Sequence, residues 1–483
     1  MAIHYNDFYI GGEWVAPKTE HRIQVHAAGA EELVGSVPEA HPADVDAAVA
    51  AARAAFDDPA GWRHWTPKAR AEALGRFAAA LQDHGPEIAR RVSLQNGMPI
   101  SLSGVLESSA PPLLLRYYAA LAAGAESDDH RAGMLGGQAI VVAEPVGVVA
   151  AVVPWNVPQG VTFMKIAPAL AAGCSVVLKP SPETVLDAFH MAEAAVAASL
   201  PAGLINVVPG GPETGRHLVG HPGVDKVSFT GSTAVGRTVA ETCGRLLRPV
   251  SVELGGKSAA VVLEDADLTG MMDRFFQATL VNNGQICWLG TRILAPRARY
   301  ADVVDAVTEM ARTLVVGDPL EPATQLGPLV SARQRDRVES YIAKGISDGA
   351  RLTTGGGRPS WADRGWYVDA TVFADVDNKS AIAQEEIFGP VLSIIPYADE
   401  DEAVAIANDS DYGLGGSVWT SDAERGLALA RRVRTGSIGV NGYANDPVAP
   451  LGGRKASGLG YELGPEGLAA YQVLKSIYVD QPA

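Results

Sequence analysis

Val146-Gly147-Val148-Val149-Ala150-Ala151-Val152-Val153-Pro154-Trp155-Asn156-Val157-Pro158 reads as a buried strand, Val146 to Val153, running into a polar amide held between two prolines. A near-continuous apolar run of this length fits a strand covered on both faces, as in parallel sheets with crossover helices. The chain on either side agrees. Thr162 to Ala171 has apolar residues at helical spacing, Ser175 to Leu178 is a second buried strand, Thr184 to Ala198 a helix, and Ile205 to Val208 a third strand. Upstream, Asp44 to Ala55 and Pro67 to His84 read as helices, and the amino terminus to Val15 as strand and turn around Gly11-Gly12. This alternation predicts an α/β fold with a parallel sheet. A second βα series begins near Val250, with strands Ala259 to Leu263, Arg292 to Ala295 and Val391 to Pro396, and helices Leu268 to Asn283 and Glu402 to Ala407. Two stacked α/β domains fit best. The tail, Gln472 to Val479, reads as an extra strand suited to pairing with another subunit.

The 483 residues suffice for two or three folding units at roughly 150 residues each. Acidic residues outnumber basic ones, 55 to 39, for a formal charge of −16, which argues against nucleic acid or an anionic membrane as partner. The most apolar run is about half a bilayer span. The amino terminus has neither the basic start nor the apolar stretch of a secretory signal, so a soluble cytoplasmic protein is expected. Cys174, Cys243 and Cys287 cannot form a disulfide framework, and no CxxC pair suggests zinc. All ten histidines lie at or before His221, so chemistry in the second half must bring its histidine from afar or do without.

Several segments carry candidate chemistry. Asn282-Asn283-Gly284-Gln285-Ile286-Cys287 sets a thiol in a glycine-containing turn, where amide dipoles can lower its pKa; a buried structural cysteine is the alternative. Ser251-Val252-Glu253-Leu254-Gly255-Gly256-Lys257 ends a short strand on a carboxylate. Partial desolvation would make Glu253 a base near neutral pH, whereas a surface pair with Lys257 would make it inert. Asn156 ends a strand where ligands sit in open α/β sheets and can donate to an oxyanion; a plain Asn turn is the alternative. No GxGxxG follows a strand. Instead Val227-Ser228-Phe229-Thr230-Gly231-Ser232-Thr233 reads as strand, hydroxyl-rich turn and helix start, a possible anion site. Glu386 and Phe388 precede a Gly-Pro turn, suited to a ribose hydroxyl and a nicotinamide ring, or simply an acidic turn beside a core ring. His217 and His221, four apart on a helix starting near Glu213, fit a solvated face better than a metal site, and no metal is expected.

Together the segments resemble the aldehyde dehydrogenase superfamily from about Phe8 to Val479. The matching pieces are Pro154-Trp155-Asn156, Lys179-Pro180-Ser181, Phe229-Thr230-Gly231-Ser232, Glu253-Leu254-Gly255-Gly256-Lys257, Gly284-Gln285-Ile286-Cys287, Glu386-Ile387-Phe388-Gly389-Pro390 and Leu451 to Gly458. The resemblance implies a Rossmann-like cofactor domain (1–122 and 146–252), an α/β catalytic domain (253–456) and a small β oligomerisation arm with the carboxy-terminal tail (123–145 and 457–483), assembled as a homodimer or homotetramer. It implies Cys287 as nucleophile, Glu253 as the base for thioester hydrolysis, Asn156 as oxyanion donor and Lys165 supporting the Asn156 site. Lys179 would contact the adenosine ribose, Ser232 the pyrophosphate and Glu386 the nicotinamide ribose, with Phe388 beside the ring. The remaining cofactor positions would be Val153, Pro154, Trp155, Ser181, Pro182, Gly211, Gly215, Phe229, Thr230, Gly231, Val235, Leu254 and Gly255.

Three departures matter. Many NAD-preferring members have glutamate three residues after the lysine matched by Lys179; here Pro182 stands there and Glu183 follows, so NAD is favoured and NADP left open. Trp288, beside the nucleophile, is bulkier than the residue often found there and would narrow the pocket or stack on a planar aldehyde. With Val157, Gly160, Val161, Met164 and Ile286 it outlines a mostly apolar tunnel for an uncharged, hydrophobic or aromatic aldehyde. Tyr461 stands where arginine is frequent and has no reading. A CoA-acylating enzyme generally lacks the hydrolytic glutamate, and a non-catalytic NAD-binding relative would have lost the nucleophile or base; both groups are present. An esterase reaction is expected only as a side activity of the same thiol.

Overall fold

The structure is a computed structural model describing residues 2–124 and 128–479. The expectations that began the amino-terminal strand at Met1, joined the arm through 125–127 and carried the tail to 483 fall partly outside the described residues.

The quoted stretch forms the middle of an eight-stranded sheet. Val148–Val152 lies between Ser175–Lys179 and Lys226–Thr230, all parallel. Ile205–Val207 continues one side and Val250–Glu253 the other, also parallel. Antiparallel Phe8–Ile10, Glu13–Val15 and Gly458–Leu459 complete the edges. Alternation works as the side-chain period of two requires: Val149 and Ala151 enter one apolar cluster, while Val148, Ala150 and Val152 enter another on the opposite face. Chain order runs outward from Val148–Val152 in one direction and then returns to its other side at Lys226. This is a topological switch point, and a crevice opens at the carboxyl ends of such strands.

Val250–Glu253 therefore belongs to this first sheet and does not open the second series as expected. The second sheet has seven strands in the order Arg351–Thr354, Thr371–Ala374, Val391–Tyr397, Arg292–Pro296, Ala259–Val262, Gly416–Trp419 and Gly439–Val440, all parallel except the first pair.

Two helix boundaries also differ. The helix expected to stop at His84 runs from Pro67 to Asn96, straight through Pro86. Ile88, Ala89 and Val92 keep the buried stripe going beyond the proline, so packing outweighs the lost backbone bond. The helix expected to reach Asn283 ends at Thr279, because Asn282, Asn283 and Gly284 all take left-handed conformations, with φ of 56°, 59° and 72°.

A three-stranded antiparallel sheet joins Asp128–Ala132, Gln138–Pro145 and the tail strand Gln472–Val479. The tail lies on its edge, with Leu474 and Tyr478 exposed. Among the described residues no helix is long and apolar enough to cross a membrane.

Candidate active site

Of the expected catalytic groups, Asn156 and Glu253 sit at strand ends, Cys287 on a turn and Lys165 in the helix Pro158–Ala172. Asn156 follows Val148–Val152 by four residues and is buried. Its backbone carbonyl accepts from the side chains of Asn282 (3.1 Å) and Asn96 (3.2 Å), and its own Nδ2 donates to Gln285 O at 2.8 Å. The amide is thus tied to the loop that carries Cys287. That loop is clamped in turn: Asn283 Nδ2 donates to Gly97 O and Pro328 O, and Gln285 Oε1 accepts from Val330 N. Gly284 cannot be replaced cheaply, since a Cβ there would lie 2.2 Å from Gly389 O besides needing φ +72°.

Cys287 is half-buried, unlike Cys174 and Cys243, which are buried. Burial pushes its thiol well up, helped by the Glu386 and Glu253 carboxylates, and its own backbone N–H opposes them. Glu253 closes its strand with only 5% of its surface exposed and with Oε1 lacking a hydrogen-bond partner among the described residues. Burial, then the Glu462 carboxylate, raises its carboxyl well above the ordinary range, against the Lys165 ammonium and the Gly453 amide. The surface-pair alternative does not describe this geometry, because Lys257 is itself buried and its Nζ unpartnered among the described residues.

Lys165 turns toward the Glu253 side of the site and not toward Asn156. Its Nζ donates to Thr230 Oγ1 at 2.7 Å and forms a fully buried ion pair with Glu462. Sequence reasoning missed Glu462, whose partner is 297 residues away.

The helix behind Asn156, Pro158–Ala172, has an uncapped start at Val157. Buried Glu107, from a π-helical turn at Gly104–Ser109, supplies the acceptor, taking the amides of Gln159 (2.7 Å) and Gly160 (3.3 Å). Replacing Glu107 with alanine leaves these amides unsatisfied and is expected to cost about 1–3 kcal/mol in urea unfolding. Glu107→Gln, which keeps an acceptor, should cost less; equal losses would show that the cap is not the cause.

The candidate cofactor residues have the following surroundings. Lys179 is buried, donates to Pro180 O (2.9 Å) and Gly210 O (2.7 Å), and is lowered to about 8 by burial. Gly215 lies over its stem, where a Cβ would meet Lys179 Cδ at 3.5 Å. Ser181 donates to Glu183 (2.6 Å), which also pairs with Arg333 (3.0 Å), and Gly211 N donates to Glu39. Ser232 caps the Thr233–Arg245 helix, accepting from Val235 N, while Val235 itself is half exposed. Leu254 packs under Gly236, and Glu386 accepts from Gly256 N at 2.9 Å directly beside Gly255. Phe388 takes φ +63° and sets its ring edge-on to Trp155 at 5.3 Å.

Val161, Met164, Cys287 and Trp288 pack against one apolar cluster, which also contains Val157 and Ile286; Gly160 is buried beside Val157. None of the expected pocket residues lines the cleft of about 600 Å³ bounded by Arg274, Gln277, Asn445, Asp446, Leu451 and Tyr443. Tyr443 joins the two, its ring 4.7 Å from that of Trp288. His217 and His221 lie on a half-exposed helix face beside Asp46.

Comparison with known proteins identifies the family. Residues 14–477 match the aldehyde dehydrogenase family. A geranial dehydrogenase from Castellaniella defragrans is 55% identical over 99% of this chain and 100% of its own length. A Mycobacterium tuberculosis aldehyde dehydrogenase, crystallised with NAD+, superposes with a TM-score of 0.97 at 48% identity, covering 99% of both chains. Aldehyde dehydrogenase C of Pseudomonas syringae, in complex with NAD+ and octanal, gives 0.95 at 40% identity, covering 99% of this chain and 97% of the other. A partly buried cysteine, a buried carboxylate and a tethered amide near the switch point of a mostly parallel sheet thus come with likeness along nearly the whole chain, and this chain belongs to the aldehyde dehydrogenase family.

Proposed function

We propose that the chain oxidises an uncharged, hydrophobic or aromatic aldehyde to its carboxylic acid with NAD+, using Cys287 as nucleophile and Glu253 as base. The observation carrying this reading is the unpartnered buried Oε1 of Glu253 in a site shared with the Cys287 thiol. Asn156 Nδ2 bears two hydrogens; one is committed to Gln285 O, which fixes the amide plane, and the other remains for an oxyanion. The Cys287 thiolate adds to the aldehyde carbon, and the resulting oxyanion accepts from Asn156 and from the Cys287 amide. After oxidation the acyl group rests on sulfur as a thioester. Glu253 takes a proton from water, which attacks that carbonyl and releases the acid and the thiolate.

The donor set fits a nicotinamide dinucleotide: a capped helix start for the pyrophosphate, the Glu386 carboxylate for ribose hydroxyls, and Gly255, where a Cβ would lie 2.2 Å from Glu386 Oε2. When bound, NAD+ supplies the acceptor for the hydride equivalent leaving the former aldehyde carbon. The chain residues at 1–122 and 146–252 would form the cofactor domain, 253–456 the catalytic domain, and the remainder the arm. Glu183 and Glu39 both act electrostatically on Lys179. A 2′-phosphate brought to that corner meets their charge, and a like charge about 4 Å away costs between ~1 and ~4 kcal/mol. NAD+ should therefore exceed NADP+ by about tenfold or more in kcat/KM, and Glu183→Gln should narrow the gap; equal use of both cofactors would refute this assignment.

Substrate breadth is the test of Trp288. Trp288→Ala is expected to lower kcat/KM for aromatic and terpenoid aldehydes by about tenfold, through lost stacking and apolar contact worth ~1–2 kcal/mol. Short aliphatic aldehydes should change far less. Equal losses across the panel would mean that Trp288 only packs the wall. The exposed edge of Gln472–Val479 is suited to strand addition by a second subunit, and a homo-oligomer is the assembly we assign. Reduced-nicotinamide formation across the panel tests the whole reading; no reduction by a folded, NAD-binding protein would overturn it.

A further inference from the structure

Away from the crevice, the long helix Pro67–Asn96 and the helix Asp187–Ala197 bring three ligating atoms together. His190 Nδ1 lies 2.7 Å from Glu193 Oε2 and 3.2 Å from His84 Nδ1, and His84 Nδ1 lies 3.7 Å from the same carboxylate oxygen. A neutral imidazole nitrogen carries either a hydrogen or a lone pair. If His190 Nδ1 donates to Glu193, it offers His84 at best a shared hydrogen. If His84 donates to His190, the His190 lone pair faces a carboxylate. No placement of hydrogens makes full hydrogen bonds of both contacts at His190 Nδ1, and the third, at 3.7 Å, is beyond hydrogen-bond reach, whereas a cation among them draws on all three atoms. We propose that His84, His190 and Glu193 form a binding site for a divalent first-row transition cation such as Zn2+.

The separations suit this. Bonds of about 2.0–2.2 Å in a tetrahedral site place ligand atoms roughly 3.3–3.6 Å apart. The 3.2 Å and 3.7 Å separations from His84 lie near this, and the 2.7 Å contact between His190 and Glu193 has to open to match it. Two imidazoles and a carboxylate are borderline donors, matched to Zn2+, Co2+ or Ni2+ and unlike the all-oxygen shell that Ca2+ or Mg2+ takes. Ligation through Nδ1 leaves the proton on Nε2, which is buried without a partner among the described residues. His84 and Glu193 are partly exposed, giving an entry path and room for water as the fourth ligand. The other histidine group, Asp46 with His217 and His221, lacks this character. His221 Nδ1 accepts from Gly223 N, so Nε2 carries the proton and donates to Asp46, leaving no lone pair for a metal. The bound cation joins the two helices and leaves the oxidation chemistry to the crevice.

The test is a Co2+ titration, followed by Zn2+ displacement, of the full-length, tag-free chain. One equivalent should bind and give visible d–d bands without the near-ultraviolet charge-transfer band of a thiolate ligand, which separates this site from Cys287. His84→Ala and His190→Ala should each weaken binding beyond the ~10–100-fold that losing an outer-shell partner costs. Glu193→Gln, which keeps shape and removes charge, should weaken it too, while His217→Ala should bind as the parent does. Zn2+ should raise the thermal midpoint of the parent and not that of His84→Ala. No bound Co2+, a thiolate band, or loss of the equivalent in His217→Ala would each overturn the proposal.

Discussion

Cys287→Ala is expected to reduce aldehyde-dependent NADH formation by about four orders of magnitude or more, while leaving NAD+ binding intact. The size follows from the absence of a substitute. Cys174 is buried under Tyr471, donating to its carbonyl, and burial pushes its thiol up to about 11. Cys243 is buried in the Thr233–Arg245 helix. Neither can reach an aldehyde in the crevice. The pH dependence has a definite sign. Burial, with the Glu386 and Glu253 carboxylates beside it, raises the Cys287 thiol, so the thiolate fraction of the cofactor-free protein climbs with pH above the ordinary thiol range. Alkylation of the free protein by iodoacetamide should accelerate with pH over that alkaline span, and the alanine variant should lose the reaction. Retained turnover in Cys287→Ala would remove the nucleophile assignment.

How much of this could be read beforehand depends on the range of each interaction. The parallel sheet was legible because its strands are apolar on both faces, and Val148–Val152 and Ser175–Lys179 fall within two residues of where the apolar runs place them. The tail strand Gln472–Val479 was legible to the residue. Its neighbour in this chain, Gln138–Pro145, was not, since pairing is settled by contacts over more than three hundred positions. Pro86 misled because local backbone chemistry predicts a stop and the buried stripe beyond it carries the helix on.

The site divides along the same line. Cys287, Glu253 and Asn156 sit in short distinctive segments, and their neighbourhood could be guessed from strand ends. What surrounds them could not. Glu107 caps a helix that starts some fifty residues later, and Glu462 reaches Lys165 from near the carboxyl end. Tyr443, which links Trp288 to the open cleft, comes from a loop with no periodicity to mark it. Such residues are fixed by tertiary packing, so composition and spacing carry no trace of their roles.

Glu253→Gln separates the two halves of the reaction. The amide keeps the shape of the carboxyl group but cannot take a proton from water, so the acyl-enzyme should form and then persist. Steady-state turnover should fall by about 10²–10⁴-fold, the usual worth of a positioned general base. A burst of about one NADH per site should survive. Mass spectrometry of the quenched protein should find the acyl group on Cys287, and hydroxylamine, which needs no general base, should discharge it. In the parent enzyme, burial and the Glu462 carboxylate raise Glu253 well above the ordinary carboxyl range, with Lys165 opposing them. Its basic form therefore appears only at pH above the ordinary carboxyl range, and thioester hydrolysis should rise along the same limb. That limb should be missing from the glutamine variant. If the variant instead turns over at the parent rate with no acyl adduct, another group activates the water; if the burst is lost as well, Glu253 acts before the thioester forms.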